Sequence, residues 1–142
     1  MTDVTELIDE VKDATAWQRT PETLTHNDYR KLVVNAIKTL FIDTGRTFQY
    51  HKELFVTDDQ GNDLFDYDFK IDEEKYILLT AQIGFFKRVQ SDVNNIVSYS
   101  TDALTVTSAD KPYTHLQDTI SELENERRIV FYKMSRFVCL QN

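Results

Sequence analysis

Between Tyr29 and Phe41 the chain repeats one spacing without a miss. Tyr29, Leu32, Val33, Ala36, Ile37, Leu40 and Phe41 fall alternately three apart and one apart. A helix places all seven on one face, and that face must be buried against something. Thr25 stands ahead of it as an N-cap with Asp28 three residues on, and Gly45 follows as a C′ glycine. The rest of the chain has to supply the surfaces that cover this helix.

Three further segments show the same period. Val4, Leu7, Ile8, Val11 and Ala14 predict a first helix from about Asp3 to Trp17, with Asp3 as N-cap and Glu6 at N3. Its remaining positions hold Glu6, Asp9, Glu10 and Asp13. Pro21 marks a break, and the short join from Gln18 to Leu24 predicts that the first two helices pack as antiparallel neighbours. A third helix begins near Asp72 and runs through Tyr76, Ile77, Leu79, Ile83, Phe86, Val89 and Val93 to about Ile96. Glu73 and Glu74 suit the positive end of its dipole, and Lys87 and Arg88 are expected to face solvent. Gly84 inside it costs ~1 kcal/mol against Ala, which close helix packing would explain. A fourth helix, from about Thr114 to Phe137 within a C-terminal segment 113–142, carries Leu116, Ile120, Leu123, Val130, Phe131, Met134 and Val138. Glu124 and Arg128 are spaced as an i,i+4 ion pair.

In two places the period changes to two. Over 46–71, Phe48 and Tyr50, then Phe65, Tyr67, Phe69 and Ile71, alternate with polar residues around a turn-forming stretch from Thr57 to Asp63. This predicts a hairpin or extended arm, aromatic on one side and acidic on the other. The Val-, Thr- and Tyr-rich run from Val97 to Ser108 predicts a short strand pair. The expected fold is a mainly α single domain over 1–142. About four helices form a small bundle, with the hairpin between helices two and three and the strand pair between helices three and four.

The formal net charge is −8, and all of it sits in one segment. From Glu53 to Glu74 there are nine acids and one base, while the rest of the chain balances. An acidic balance disfavours general nucleic-acid binding and anionic membrane surfaces, both of which need a basic face. No apolar run approaches the ~20 residues that span a bilayer, and no apolar signal region follows Met1. The one cysteine, Cys139, reads as an apolar filler, so a disulfide framework is not expected and synthesis in a reducing cytoplasm is.

The acidic turn does not match a calcium loop. With Gly61 at position six of an EF-hand, Val56 and Tyr67 fall where oxygen ligands belong. An irregular cation site among Asp58, Asp59 and Asp63 is the alternative to a solvated turn. Asp66 and Asp68 share a strand face without a pocket-like context, and His26, His51 and His115 are dispersed. Neither a nucleophile elbow nor a phosphate-binding glycine loop occurs. No enzyme and no cofactor are expected. Ile129, Val130, Phe131 and Tyr132 are consecutive and cover the fourth helix all round. That predicts a second buried face, against another chain.

Three stretches, taken in order, resemble the head–tail connector (head-completion adaptor) proteins of tailed bacteriophages. One is the N-terminal helix pair ending in Ile42-Asp43-Thr44-Gly45-Arg46. The second is the long apolar third helix. The third is the run from Val97 to Ser108, similar to the family's serine-rich VxSxSxGDxSVS stretch, with Thr101-Asp102 in place of Gly-Asp. The resemblance implies a virion neck protein, made in the host cytoplasm. Such proteins form a closed ring of about a dozen copies between the portal and the next neck or tail component. DNA passes through the ring without specific binding, and no membrane is involved. It implies portal or neighbour contacts at Val130, Phe131, Met134 and Phe137. The acidic arm, with Asp58, Asp59, Asp63, Asp66 and Asp68, would line the channel or meet a basic partner. A tail-terminator or tail-completion ring, usually richer in β structure, is an alternative. A cytoplasmic acidic module that binds a basic partner is another.

Overall fold

The computed structural model describes residues 1–18, 20, 23–100 and 110–140, with side chains described for 1–18, 20, 23–92 and 115–134. Over these residues the chain is mainly α, with four helices in a small bundle and one small antiparallel sheet. In order, the elements are β1 (Thr2–Asp3), α1 (Val4–Thr15), α2 (His26–Asp43), β2 (Phe55–Thr57), β3 (Asp63–Phe65), α3 (Ile71–Ser100) and α4 (Asp110–Leu140). Two 3-10 turns, Thr47–Gln49 and Lys52–Leu54, connect α2 to β2.

The first two helices start where their caps predict. The Asp3 carboxylate accepts from the backbone N–H of Thr5 and Glu6. Thr25 and Asp28 form a reciprocal capping box, with Asp28 N–H donating to Thr25 Oγ1 and Thr25 N–H to Asp28 Oδ2 at 2.9 Å. The Asp28 carboxylate accepts from both the Thr25 N–H and the Thr25 hydroxyl, and these bonds, then Arg88 nearby, hold it below its usual range. Lys12 Nζ, late in α1, lies 2.8 Å from His26 Nδ1 at the start of α2, as antiparallel neighbours require. On α1, Val4, Leu7, Ile8 and Val11 are buried as the period predicts. Ala14 is exposed and Thr15 is buried instead; its hydroxyl donates back to the Val11 carbonyl, so the polar group is satisfied within the helix.

α2 ends in a Schellman motif. Arg46 N–H donates to Phe41 O at 2.7 Å and Gly45 N–H to Ile42 O at 3.1 Å, with Gly45 at φ +72°. Beyond it, the alternation expected at Phe48 and Tyr50 is kept neither as a strand nor in burial. Tyr50 packs edge-on against Phe41, while Phe48 in the first 3-10 turn is 74% exposed.

β2 and β3 form the expected hairpin, but it does not project as an arm. Phe55 pairs with Phe65, Val56 with Leu64 and Thr57 with Asp63, and β1 adds to the other edge through Thr2 opposite Phe65. Two residues at the N-terminus are too few to show a period, so β1 left no signal in the sequence. Phe65 is fully buried, and Phe41 meets the rings of Tyr50, Phe65, Tyr67 and Phe69 at 5.5–6.2 Å. The aromatic side of the segment is thus part of the core, and Asp66 and Asp68 face out. Ile71, expected to continue the inward series, is 86% exposed because α3 begins there and turns it away.

α3 is the central element; α1, α2 and α4 all pack on it. Tyr76, Ile77, Leu79, Ile83, Phe85, Phe86 and Val89 are buried. A Cβ on Gly84 would stand 3.2 Å from Leu32 Cδ2, so the glycine marks a close pass of α2 over α3. Val97 to Ser100, read as the start of a strand, continue α3 as helix; the rest of that run, Thr101 to Ser108, lies outside the described residues. α4 starts at Asp110, which places Pro112 in its first turn, where no backbone donor is needed. Glu124 pairs with Lys87 of α3 at 3.3 Å and Arg128 with Asn125 at 2.7 Å, so the expected Glu124–Arg128 pair gives way to a tertiary partner. Arg88 is likewise only partly exposed and lies 3.4 Å from Asp28.

Candidate interaction surfaces

The Thr44-Gly45-Arg46 corner is a clasp between α2 and α3. Gly45 turns the chain so that Arg46 folds back over the rings of Phe41 and Tyr67, at 5.2 and 5.6 Å. Its Nε donates to Thr44 Oγ1 at 3.0 Å, Nη1 to the Tyr67 hydroxyl at 2.5 Å, and Nη2 to Glu73 Oε2. Glu73 is only 7% exposed, and its other oxygen accepts from the Lys70 N–H at the start of α3, at 3.1 Å. One carboxylate therefore caps α3 and anchors the exit of α2. Arg46 is committed to this internal network.

A second polar junction joins α2, α3 and α4. The Tyr76 hydroxyl donates to Asp43 Oδ2, and Arg127 lies over the Tyr76 ring at 5.9 Å. Burial first, and then the Asp43 hydrogen bond, raise the Tyr76 hydroxyl above the ordinary phenol range, so it stays protonated. Asp43, Tyr76, Glu124, Arg127, Arg128 and Phe131 surround a depression of about 290 Å³ here.

The acidic residues of the hairpin do different things. Asp58 accepts from Gln60 N–H at 2.9 Å and Asn62 N–H at 2.8 Å, closing its own turn. Asp63 pairs with Arg30 of α2 at 3.0 Å, and Asp68 pairs with the Met1 amino group. Asp59 and Asp66 are exposed. Asp58, Asp59 and Asp63 do not converge, and among the described residues no group of three or more His, Cys, Asp or Glu is placed to hold a metal ion.

The acidic surface extends beyond this segment. Asp3, Glu6 and Glu10 of β1–α1 share one surface depression with Asp68 and Glu74. Residues 53–74 hold the net charge by arithmetic, yet the fold lays the acidic side of α1 beside it. The signal was present in the sequence, since Glu6, Asp9, Glu10 and Asp13 occupy the outer positions of an amphipathic helix. What the sequence lacked was the pairing of β1 with β3 that joins the two acidic segments.

On α4 the proposed contact residues turn inward. Val130 and Met134 are buried in this chain's own core, and Phe131 is half-buried against Tyr76. The Phe137 side chain lies outside the described residues. Val130 and Met134 fall on the same side of the helix as Leu116, Ile120 and Leu123, the side that α3 covers. Among the described side chains of α4, the large apolar ones left outward are Ile129 and Tyr132, 46% and 65% exposed. Cys139 also lies outside the described side chains, and His51 and His115 are exposed.

Comparison with models of known protein families, with curated proteins and with solved structures finds no match to this chain. Among the described residues, no helix is long and apolar enough to cross a membrane.

Proposed function

We propose that this protein is a structural adaptor of a tailed-phage neck. It forms a ring between the portal and the next neck or tail component and extends the DNA channel. The observation that carries this reading is the clasp at Ile42–Arg46. It joins an N-terminal helix pair to a long apolar third helix, in the order that the connector resemblance implies. The outward pair Ile129 and Tyr132 supports it, as apolar surface on a helix already buried along its other side. Asp59, Asp66 and Asp68 are hairpin carboxylates that remain exposed for a channel or partner role.

Co-assembly with a purified portal ring, imaged by electron microscopy, tests the proposal. A ring of this protein seated on the portal is expected. A monomer that leaves the portal bare under all conditions overturns it. The composite acidic depression favours one second reading, a module that binds a basic partner. That reading predicts capture of a basic protein with no ring.

A further inference from the structure

The sheet order is β1-β3-β2, which makes β2 an edge strand. Its backbone groups alternate between β3 and the free side. Asp66 N–H donates to Leu54 O at 2.8 Å, and Asp58 N–H donates to Asn62 O at 3.0 Å. With Val56 opposite Leu64, this places the backbone groups of Leu54, Val56 and Asp58 toward β3. Those of Phe55 and Thr57 therefore point to the free edge. The far side of β3 agrees, since Asp63 N–H points away from β2 and donates to Thr5 Oγ1 at 3.0 Å.

Phe55 N–H is taken by Lys52 O in the turn before the strand. Phe55 C=O, Thr57 N–H and Thr57 C=O have no partner among the described residues. Val56 and Thr57 are exposed, so no other described element covers this edge. One open donor and two open acceptors along an extended strand are the groups that bind an added strand. An antiparallel one would accept from Thr57 N–H and donate to both carbonyls. The side chain of Val56 would give it an apolar neighbour on the sheet's outer face.

The charge around the edge selects the occupant. Residues 52–59 hold three acids, Glu53, Asp58 and Asp59, and one base, Lys52. Of the bases nearby, Arg30 is paired with Asp63 and Lys38 lies over the Tyr50 ring. A second copy of β2 would bring Asp58 and Asp59 of both chains to one short ladder, like charge beside like. A strand that carries Lys or Arg meets the opposite sign there.

We propose that the free edge of β2 takes an extended basic segment of another protein as an added antiparallel strand. The backbone groups of Phe55 and Thr57 hold the ladder, and Glu53, Asp58 and Asp59 favour basic side chains. This contact is independent of the ring reading, because it assigns a surface of the single chain.

A short peptide alternating Lys and Val tests it, with amide exchange followed by NMR on the whole protein. Exchange at Thr57 N–H should slow about tenfold or more when the peptide is bound. Val56 N–H, already in the ladder with β3, should change little. A peptide with Pro in place of each Val keeps the charge and gives up the strand. A peptide with Glu in place of each Lys keeps the strand and reverses the charge. Each should bind about tenfold more weakly or worse. Thr57→Pro removes the outward donor and leaves the bonds to β3 in place, as proline on an edge strand can. Its fold is checked by circular dichroism, and its affinity for the Lys–Val peptide should fall about tenfold or more. If that variant does not fold, the exchange pattern and the three peptides decide.

Equal binding of the proline peptide would reduce the contact to simple charge attraction and overturn the proposal. Equal binding of the Glu peptide, or no binding of the Lys–Val peptide at low salt, would overturn it too. Thr57 protection that appears without peptide and grows with protein concentration would give the edge to a second copy, and the proposal would fall. None of these outcomes bears on the ring reading, which the portal experiment tests.

Discussion

Arg46 shows how much one side chain can hold. Its three guanidinium nitrogens are spent on Thr44, Tyr67 and Glu73, and its plane lies over Phe41. Arg46→Ala leaves Glu73 buried without its cation, and removing one partner of a buried pair costs ~3–5 kcal/mol. Arg46 keeps some exposure, so the lower end, about 3 kcal/mol, is expected from urea denaturation. Tyr76 makes a different prediction, in pH. Its folded hydroxyl is raised above the unfolded value of ~10, so the folded state holds the proton more tightly. Its contribution is complete below pH ~10 and falls away as pH rises past that. Tyr76→Phe should flatten the alkaline limb of a stability-against-pH curve while also losing the Asp43 hydrogen bond, worth ~1 kcal/mol. An unchanged alkaline limb would show that some other group controls it.

At the scale of elements, one glycine past the end of α2 and one inside α3 separate backbone freedom from packing. Gly45 sits at φ +72° with open space around its Cα, so Gly45→Ala meets no neighbour but must hold a left-handed backbone. A loss of ~1–2 kcal/mol is expected in thermal unfolding. Gly84 has ordinary helical geometry, and an added methyl meets only the flexible end of Leu32. The gain in helix propensity, ~1 kcal/mol, outweighs that small shift. Gly84→Ala should therefore be neutral or stabilising by up to ~0.5 kcal/mol. Helices were the readable elements here, because seven residues at one spacing repeat the same instruction. The strands are two or three residues long, too short for a period to declare itself, and the alternation over 65–71 was real as burial through Phe69 although only Asp63–Phe65 pairs. The run from Val97 resembled a strand by composition, yet α3 carries its first four residues as helix, continuing turns already laid down on a packed face.

For the molecule as a whole, α3 runs through both clusters of the core. One gathers around Phe41 and Phe65, the other around Phe85, Phe86 and Leu116. Trp17, the one tryptophan, stands 5.4 Å from Phe86 and 6.0 Å from His115 and so reports on the second cluster. Unfolding in urea followed by Trp17 fluorescence should coincide with unfolding followed by far-ultraviolet circular dichroism, because a shared helix couples the clusters. An earlier fluorescence transition would mean that they unfold separately. The helix count, the caps at Asp3 and Thr25, the glycine exit at Gly45 and the amphipathic character of residues 46–71 were all legible along the chain. These depend on near neighbours in the chain, whose periods and capping groups can be read locally. Which faces stay outside was settled by the packing of distant segments. Packing turned Val130 and Met134 inward and Ile129 and Tyr132 outward, paired Asp63 with Arg30, and brought α1's carboxylates beside Asp68 and Glu74. Those outcomes depend on contacts between residues up to 67 positions apart, as between Met1 and Asp68, and no local period encodes such a distance.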